Sequence, residues 1–373
     1  MAEARASDLY LVDELFSADE RALRDRVRAW CDDHLRPGAA EAWEAARFRS
    51  ELVPLVASLG IAGGTIRGYG CPGLSHVVVG LANLELARAD GSFATFLGAH
   101  SGLAMSAIAL GGDEETKQRW LPPMARLEAI GAFALTEPDH GSDAHLLETR
   151  ADDMRLTGRK RWIGNASVAD VVVVWATDGA YLVERDSPGL EVRVDQHKVS
   201  LRAVWQAAVT LDRVEASARL ACRFQDVLVR ARPTIAWRAL GHALACYETA
   251  LAYTAETRRF GRPLASFQLV QDKLARMAAE ITSMQLLCWR LSRLVDDGRL
   301  TAAMASLAKM NNAQKARRIA ADARDLLGGN GILLEHEVAR HQADLEGLFT
   351  FEGTDHVQAL VLGRELTGIG AFA

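Results

Sequence analysis

The stretch AIGAFALTEPDHGSDAH (residues 129–145) decides the fold, because helical patterning ends there and a different texture begins. Its apolar half, AIGAFAL, predicts a short strand, and its polar half turns at Pro138. The runs that follow, ADVVVVWA, AYLVERD, LEVRV and AAVTLDRVE, are β-branched or alternating and are separated by Gly, Asp and Pro. We therefore predict a small antiparallel β domain, a β-barrel or sandwich, over residues 129–230.

Both flanks of this β block have helical patterns. ADERALRDRVRAWCDDHL and HVVVGLANLELARA repeat apolar residues at three-to-four spacing, which predicts a helical domain over residues 1–128. From Pro233 onward the runs are long and amphipathic with Ala-rich faces, and they suit a four-helix bundle over residues 231–373. The predicted fold is thus α+β and mostly α, with a helix block, a β block and a second helix block.

Bulk composition excludes several classes of function. A chain of 373 residues suits two or three domains, and 49% hydrophobic with 24% charged residues is ordinary for a globular protein. The net charge of −5 argues against nucleic-acid and membrane partners. We find no secretory signal near the N-terminus and no run approaching the roughly 18 apolar residues of a membrane span. Five scattered cysteines without metal-type spacing indicate reduced, mostly buried thiols, so we expect a cytoplasmic protein without a metal site.

Five segments carry residue types suited to ligand chemistry. In FALTEPDHGSDAH, Gly141 lies among hydroxyls and could admit a phosphate, although an ordinary polar turn explains the pattern equally well. In KRWIGNASVAD, Trp162 could stack on a flat ring, whereas a lone Trp is more often a core anchor. In ETRRFGRPLASFQLVQDKLARM, the cluster Arg258, Arg259 and Arg262 suits a diphosphate or simply a solvated surface.

The last two segments lie near the C-terminus. DLLGGNGI places Gly328 and Gly329 where a helix would end. In LFTFEGTDHVQALVLGRELTG, Glu352 lies in a turn before the final helix, and on its own it would complement the dipole of that helix.

The order and spacing of these segments resemble the acyl-CoA dehydrogenase family over essentially the whole chain, and they are most similar to its glutaryl-CoA dehydrogenase branch. The resemblance is carried by GYGCPG, ALTEPDHGSD, DVVVVWA, FGRPLASFQLVQDKLARM, ARDLLGGNGI and FEGTDHVQALVLGRELTGIGAFA. It implies a helical N-terminal domain, a middle β domain and a C-terminal four-helix bundle, with FAD extended between the last two. It also implies a homotetramer in which a neighbouring subunit completes the flavin site.

The resemblance further implies roles for individual residues. Glu352 matches the catalytic carboxylate of an aromatic-Glu-Gly-Thr motif and would remove the α-proton of an acyl thioester, with a pKa raised by Phe351 and a water-poor pocket. Residues that would hold the flavin or its phosphates are Phe133, Leu135, Thr136, Ser142, Trp162, Ile163, Gly164 and Thr354. Residues that would hold the adenosine diphosphate half are Arg258, Phe260, Gln268, Asp325, Gly328 and Gly329. Residues that would contact the substrate are Ala94, Thr95, Ser142, Arg232 and Gly353.

The substrate end of the site departs from the pattern of the branch. Relatives that act on glutaryl-CoA carry an Arg at the position of Ala94, where it pairs with the far carboxylate, and a Glu at Ala87. Because a buried carboxylate without a partner is costly, Ala94 favours a short or branched neutral acyl group, carried on CoA or on a carrier protein. Arg232 matches a position near the opening for CoA, or it serves helix packing.

The flavin end departs as well. Gly164 lacks the hydroxyl that relatives place near the reactive nitrogen of the flavin. Thr257 stands where relatives have an Arg, for which Arg258 would have to substitute. His140 replaces a small residue of the phosphate-facing turn, where it is either a phosphate donor or an exposed loop histidine.

Three functions are therefore compared. The first is a two-electron dehydrogenase that passes electrons to an electron-transfer flavoprotein. The second is an oxidase that returns electrons to oxygen, which Gly164 leaves open. The third is a non-redox acyl-thioester-binding paralogue with weak FAD affinity, which Gly164 and Thr257 suggest and the retained Glu352 opposes.

Overall fold

The computed structural model describes residues 7–371. Residues 1–6, which include the beginning of the stretch in which we found no secretory signal, and residues 372–373, which end the last family motif, lie outside the described residues. The three predicted blocks are confirmed: helices, then strands, then helices.

Locally encoded caps begin the helices of the N-terminal block. The helices are α1 (Ala18–Trp30), α2 (Ala39–Glu44), α3 (Val53–Ala57), α4 (His76–Ala89), α5 (Gly91–Leu97), α6 (Ser106–Gly111) and α7 (Glu114–Ala125). Ser17 and Glu20 form a reciprocal capping box at the start of α1. Asp90 ends α4 with an extended backbone, and its carboxylate accepts the N–H groups of Ser92 and Phe93 at the start of α5.

A π-helical segment, Gly98–Met105, joins α5 to α6 into one continuous helix, Gly91–Gly111. By length and composition this helix could cross a membrane, so the expectation that no run approaches such a length was wrong. Half of its most apolar stretch is buried inside the protein. On it, His100 is buried and its ring bonds the carbonyl of Met124 and the N–H of Gly131, each at 3.0 Å. These contacts are those of a core helix.

The β block consists of two four-stranded sheets. Its strands are β3 (Gly131–Ala134), β4 (Arg150–Asp152), β5 (Arg155–Gly164), β6 (Val171–Ala176), β7 (Gly179–Glu184), β8 (Leu190–Val194), β9 (Gln206–Glu215) and β10 (Ala218–Leu220), after a minimal hairpin of β1 (Arg67–Gly68) and β2 (Cys71–Pro72). The sheet orders are β4-β5-β9-β8 and β10-β7-β6-β3. The expectation of a purely antiparallel domain was wrong, because β3 and β6 pair in parallel. The chain leaves β3, builds β4 and β5 in the other sheet and returns beside β3 as β6, and such a crossover makes the pair parallel.

The C-terminal helices pack as predicted. They are α8 (Phe224–Glu256), α9 (Gln268–Asp296), α10 (Ala302–Leu326), α11 (Val338–Thr350) and α12 (Asp355–Thr367), with a hairpin of β11 (Arg258–Arg259) and β12 (Arg262–Pro263) between α8 and α9. Helix α8 begins at Phe224 rather than at Pro233, and the proline lies inside it. Buried alanines on α8 and α10, such as Ala239 and Ala316, belong to one core and allow the two helices to approach closely.

Candidate active site

A cavity of about 750 Å³ is lined by residues of the β block, the C-terminal helices and the long N-terminal helix. Its size falls in the range of small-molecule and cofactor sites. Many residues implicated by the sequence lie in its wall, although they come from distant parts of the chain. They are Thr95, Phe133, Leu135, Thr136, Ser142, Trp162, Ile163, Gly164, Arg232, Glu352 and Gly353.

Glu352 is held in the short turn between α11 and α12. Its backbone is left-handed, with φ of 53°, a conformation that a non-glycine residue adopts only when its surroundings enforce it. The amide of Gln358 donates to the carbonyls of Glu352 and Gly353, each at 3.0 Å. From α10, buried Lys309 donates to the carbonyls of Phe349 at 3.0 Å and Gly353 at 2.6 Å. The turn is therefore fixed from two helices.

Opposing effects act on the Glu352 carboxylate. Burial raises its pKa, as expected, while the positive charges of Arg238, Arg232 and Lys309 partly oppose that rise. Its Oε2 atom is inaccessible and accepts no hydrogen bond from any residue the structure describes. A carboxylate in this state accepts a proton more readily than a solvated one, which suits a general base.

The turn after β3 is shaped by a buried ion pair. Glu137 accepts hydrogen bonds from the N–H of Thr149 at 2.9 Å and from its hydroxyl at 2.6 Å. Lys160 donates to the Glu137 carboxylate at 2.8 Å and to the carbonyl of Leu135 at 3.0 Å. Because Leu135 and Thr136 line the cavity, this network sets the shape of one wall. No signal in the sequence singled out Lys160, which looks like any basic residue of a strand.

The hydroxyls of Thr136 and Ser142 are the polar groups that this turn offers to a ligand. Neither side chain hydrogen-bonds to another residue within the described part of the chain, and both line the cavity. His140 is only partly exposed, its Nδ1 bonds the Asp143 carboxylate at 2.9 Å, and Asp143 raises its pKa. The histidine therefore braces the turn and does not line the cavity. Its role as a phosphate donor stays a prediction.

Trp162 is a surface of the cavity rather than a core anchor. Its side chain is 53% exposed, and its backbone φ is 58° within an irregular part of β5. The Arg161 guanidinium lies 5.3 Å from the ring centroid on one side. Nearby, a Cβ on Gly164 would meet only Ala99, at 3.6 Å, so a small side chain could be accommodated there. An accessible indole beside unpaired hydroxyls fits a flat, polar ring system such as a flavin.

At the substrate end, the neighbouring residues Ala94 and Thr95 differ in whether they reach the cavity. Thr95 lines the cavity, and its hydroxyl donates to the carbonyl of Gly91 at 2.8 Å. Ala94 is fully buried in an aromatic core with Phe93 and Phe96 and does not line the cavity. Arg232 is buried within the cavity wall, and its Nε donates to the carbonyl of Glu352 at 3.4 Å.

The residues assigned to the adenosine diphosphate half do not line this cavity. Phe260 is 94% exposed at the tip of the β11–β12 hairpin, and Arg258 donates to the carbonyl of Gly261 there at 3.0 Å. Gln268 begins α9, and Asp325 forms an ion pair with Lys273. Gly328 and Gly329 follow α10, where a Cβ would meet nothing. Thr354 likewise lies outside the cavity lining, and its hydroxyl caps α12.

Sequence reasoning missed three cations in and beside the cavity, of which Arg238 and Lys309 are buried and Lys198 is half-buried. Arg238 and Lys198 line it, and Lys309 lies behind the Glu352 turn. Burial lowers the pKa of Arg238 to about 10 and that of Lys309 to about 8. A charge inside an otherwise apolar helical run, as in IAWRALG, was the available signal for Arg238.

Family comparisons agree with this geometry. The models "Acyl-CoA dehydrogenase, N-terminal domain", "Acyl-CoA dehydrogenase, middle domain" and "Acyl-CoA dehydrogenase, C-terminal domain" match residues 17–128, 132–214 and 223–367. The chain is similar to the probable acyl-CoA dehydrogenase YngJ of Bacillus subtilis (strain 168), with 32% identity over 93% of this chain and 98% of that protein. It is also similar to the mitochondrial short-chain specific acyl-CoA dehydrogenase of Bos taurus, with 32% identity over 92% of this chain and 89% of that protein.

Two solved structures of glutaryl-CoA dehydrogenase from Mycobacterium smegmatis share the fold. One superposes with a TM-score of 0.96 at 41% identity, over 99% of both chains. The other, in complex with FADH2, has a TM-score of 0.96 at 39% identity, also over 99% of both chains. The chain belongs to the acyl-CoA dehydrogenase family and is an FAD-dependent oxidoreductase.

Proposed function

We propose that this protein introduces an α,β double bond into a short acyl thioester, with Glu352 as the base. The observation that carries the proposal is the position of Glu352: a half-buried residue whose Oε2 is inaccessible and whose pKa is raised shares one cavity with the unpaired hydroxyls of Thr136 and Ser142 and the exposed face of Trp162. Groups suited to removing a proton and to holding a flavin thus share one cavity.

In the proposed reaction the α-carbon–hydrogen bond breaks and its proton passes to Glu352. The negative charge that develops on the thioester carbonyl oxygen needs a hydrogen-bond donor. The N–H of Glu352 can serve, because it hydrogen-bonds to no residue of the described chain. The constrained turn holds this N–H beside the carboxylate. FAD held by Thr136, Ser142 and Trp162 would supply the acceptor for the β-hydride and so complete the two-electron oxidation.

The size of the acyl group is proposed from the wall of the cavity. Phe93 and Phe96 fill the core behind Thr95, and the similarity to a short-chain specific enzyme points the same way. The neutral acyl group predicted from Ala94 stays a prediction. That prediction assumed that, without an Arg at position 94, a substrate carboxylate would lack a partner. Arg238 weakens the assumption, because it supplies a guanidinium to the same cavity. Either CoA or a carrier protein could bear the thioester.

For the electrons we propose an electron-transfer flavoprotein as acceptor. One observation favours an oxidase as a second candidate: Gly164 lines the cavity without a side chain, so oxygen would meet less obstruction at that edge. The non-redox reading is less well supported, because Glu352 and the aromatic face of Trp162 both remain in the cavity.

The test uses purified protein, which should be yellow, titrated anaerobically with acyl thioesters while flavin bleaching is followed. Glu352→Gln should keep the colour and abolish bleaching, whereas Glu335→Gln, an exposed carboxylate elsewhere, should bleach like the wild type. Unchanged bleaching in Glu352→Gln would remove Glu352 from its role, and protein that cannot take up FAD would sink the proposal. Rapid recovery of the colour on admitting air would favour the oxidase.

A further inference from the structure

Arg238 is an unusual residue for the middle of a buried helix. It lies on α8, is 4% exposed, and belongs to the lining of the Glu352 cavity and of a second cavity of about 300 Å³. Its Nε donates to the side-chain oxygen of Asn83 on α4 at 2.8 Å. That single bond orients the guanidinium plane and leaves the two terminal nitrogens for other partners.

Those two nitrogens are without protein partners. Within residues 7–371, neither Nη1 nor Nη2 of Arg238 makes a hydrogen bond, and no carboxylate forms an ion pair with it. A buried cation that keeps open donors is costly unless something else satisfies them. The nearby charges are Glu352, which attracts it, and Arg232 and Lys309, which are also positive and act on Glu352.

The opposing helix makes room for this side chain. A Cβ placed on Gly98 would lie 1.9 Å from Nη2 and 2.4 Å from Nη1 of Arg238, so only glycine leaves space for the guanidinium there. Thr95 lies three residues earlier, about one helical turn away, and lines the cavity. Gly98 and Asn83 line the second cavity and Arg238 lines both, so the guanidinium lies between that cavity and the wall expected to contact the acyl group.

The chemistry of the guanidinium limits what it can receive. Its terminal nitrogens form a flat fork that matches the two oxygens of a carboxylate, and such paired, charge-assisted bonds are among the stronger ones in proteins. A hydrocarbon end group would leave both donors unsatisfied in a desolvated site. The arrangement suits a negatively charged end group.

We propose that Arg238 is a specificity-determining residue, which binds a carboxylate at the far end of the acyl chain of the substrate. The inference rests on the proposed function, narrows its substrate to dicarboxylic acyl thioesters, and would replace the neutral acyl group that Ala94 alone predicted. The carboxylate would pair with Arg238 on α8, because residue 94 of this protein is an alanine and cannot pair with it. Gly98 creates the space, Asn83 orients the fork, and Arg238 supplies the charge.

The test compares thioesters of equal carbon number that differ at one end: glutaryl-CoA with pentanoyl-CoA, and adipyl-CoA with hexanoyl-CoA. Binding is measured on holoenzyme carrying Glu352→Gln, by perturbation of the flavin spectrum and by thermal shift. We expect the diacid to bind more tightly in at least one pair. Arg238→Met should reduce that preference roughly 10- to 100-fold without weakening the neutral ligand, and Arg238→Lys should lie between.

Gly98→Ala gives a second route that keeps the arginine, since the added methyl would displace the guanidinium. It should lose the diacid preference, whereas Gly102→Ala, on the same helix with open space around it, should keep it. Circular dichroism and melting of each variant show whether it is folded.

Neutral ligands that bind the wild type as tightly as the diacids would overturn the inference. So would an equal loss of affinity for both ligands in Arg238→Met, because the arginine would then support the cavity without distinguishing the two end groups. If the arginine acts only on Glu352, Arg238→Met in the enzyme that retains Glu352 should leave the diacid preference unchanged and move the acid limb of kcat/KM to higher pH for both ligands, since removing a cation raises the pKa of the base. Thermal shift does not depend on flavin bleaching, so failure of the proposed function and failure of this inference remain distinguishable.

Discussion

At the scale of single residues, exposure distinguishes roles that residue type does not. Trp162 and Trp175 both lie on strands of the β block, yet Trp162 is 53% exposed at the cavity and Trp175 is 2% exposed in the core. Trp175 packs against Phe133 and Phe224, with ring centroids 5.6 Å and 5.7 Å away. Two identical side chains therefore serve a ligand surface and a hydrophobic core.

Replacing each tryptophan by alanine should separate these roles. Trp162→Ala should lower the free energy of unfolding of the apoprotein by less than Trp175→Ala does, because about half of the Trp162 side chain is already exposed. It should also weaken FAD binding. Trp175→Ala should cost about 3–5 kcal/mol through the cavity it leaves. Urea denaturation and flavin titration measure the two effects, and unchanged FAD affinity in Trp162→Ala would mean that the indole does not contact the flavin.

At the scale of elements, the turn between β3 and β4 depends on Glu137. Burial alone would raise the pKa of Glu137, but hydrogen bonds from Lys160, Thr149 and the N–H of Glu148 outweigh it and hold the pKa at about 2. A carboxyl whose folded-state pKa is depressed stabilises the protein above its unfolded pKa, and this contribution is lost as the pH falls through the folded value. The relevant window therefore lies between about pH 4.5 and pH 2.

Glu137→Gln should lower the free energy of unfolding by about 2–3 kcal/mol at pH 7, because Lys160 loses its buried counter-ion. The difference from the wild type should shrink as the pH falls from 4.5 towards 2, where the native carboxyl is also protonated. Urea titrations at several pH values measure this. Glu115→Gln, an exposed carboxylate on α7, is the control, and a difference independent of pH would show that the ion pair is not its origin.

The helices show why element types were easier to predict than their limits. Apolar spacing predicted the N-terminal helices and the bundle, since amphipathic periodicity is a local property. The start of α8 was misplaced because Pro233, which usually interrupts a helix, lies inside it. The parallel pairing of β3 and β6 was missed because strand direction depends on how the chain returns to the sheet.

At the scale of the whole molecule, one end of the bundle exposes large apolar side chains. Phe260 is 94%, Leu269 82% and Ile332 66% exposed, and all three lie near residues assigned to the adenosine diphosphate half. Such a surface is unfavourable in water unless another surface covers it. We propose that a second copy of this chain covers it, which agrees with the predicted homotetramer.

Phe260→Asp should therefore weaken both assembly and FAD retention, since the charge would enter a desolvated contact. Light scattering after size-exclusion chromatography gives the mass of the assembly, and the flavin-to-protein absorbance ratio gives FAD retention. Leu55→Asp, an exposed leucine on α3, should change neither. A wild-type protein that is monomeric and retains FAD would contradict the proposal.

The sequence by itself determined the order of the three blocks, the family and Glu352 as the base to test, because periodicity and ordered motifs are local in the chain. It could not determine which charges surround that base. Arg238 is far from Gly98 and Asn83 in sequence, and only the packing of α8 against α4 and the π-helical segment Gly98–Met105 brings the three together. Burial, pKa and unpaired donors are properties of such packing, so the proposed carboxylate site could be inferred only from the tertiary structure.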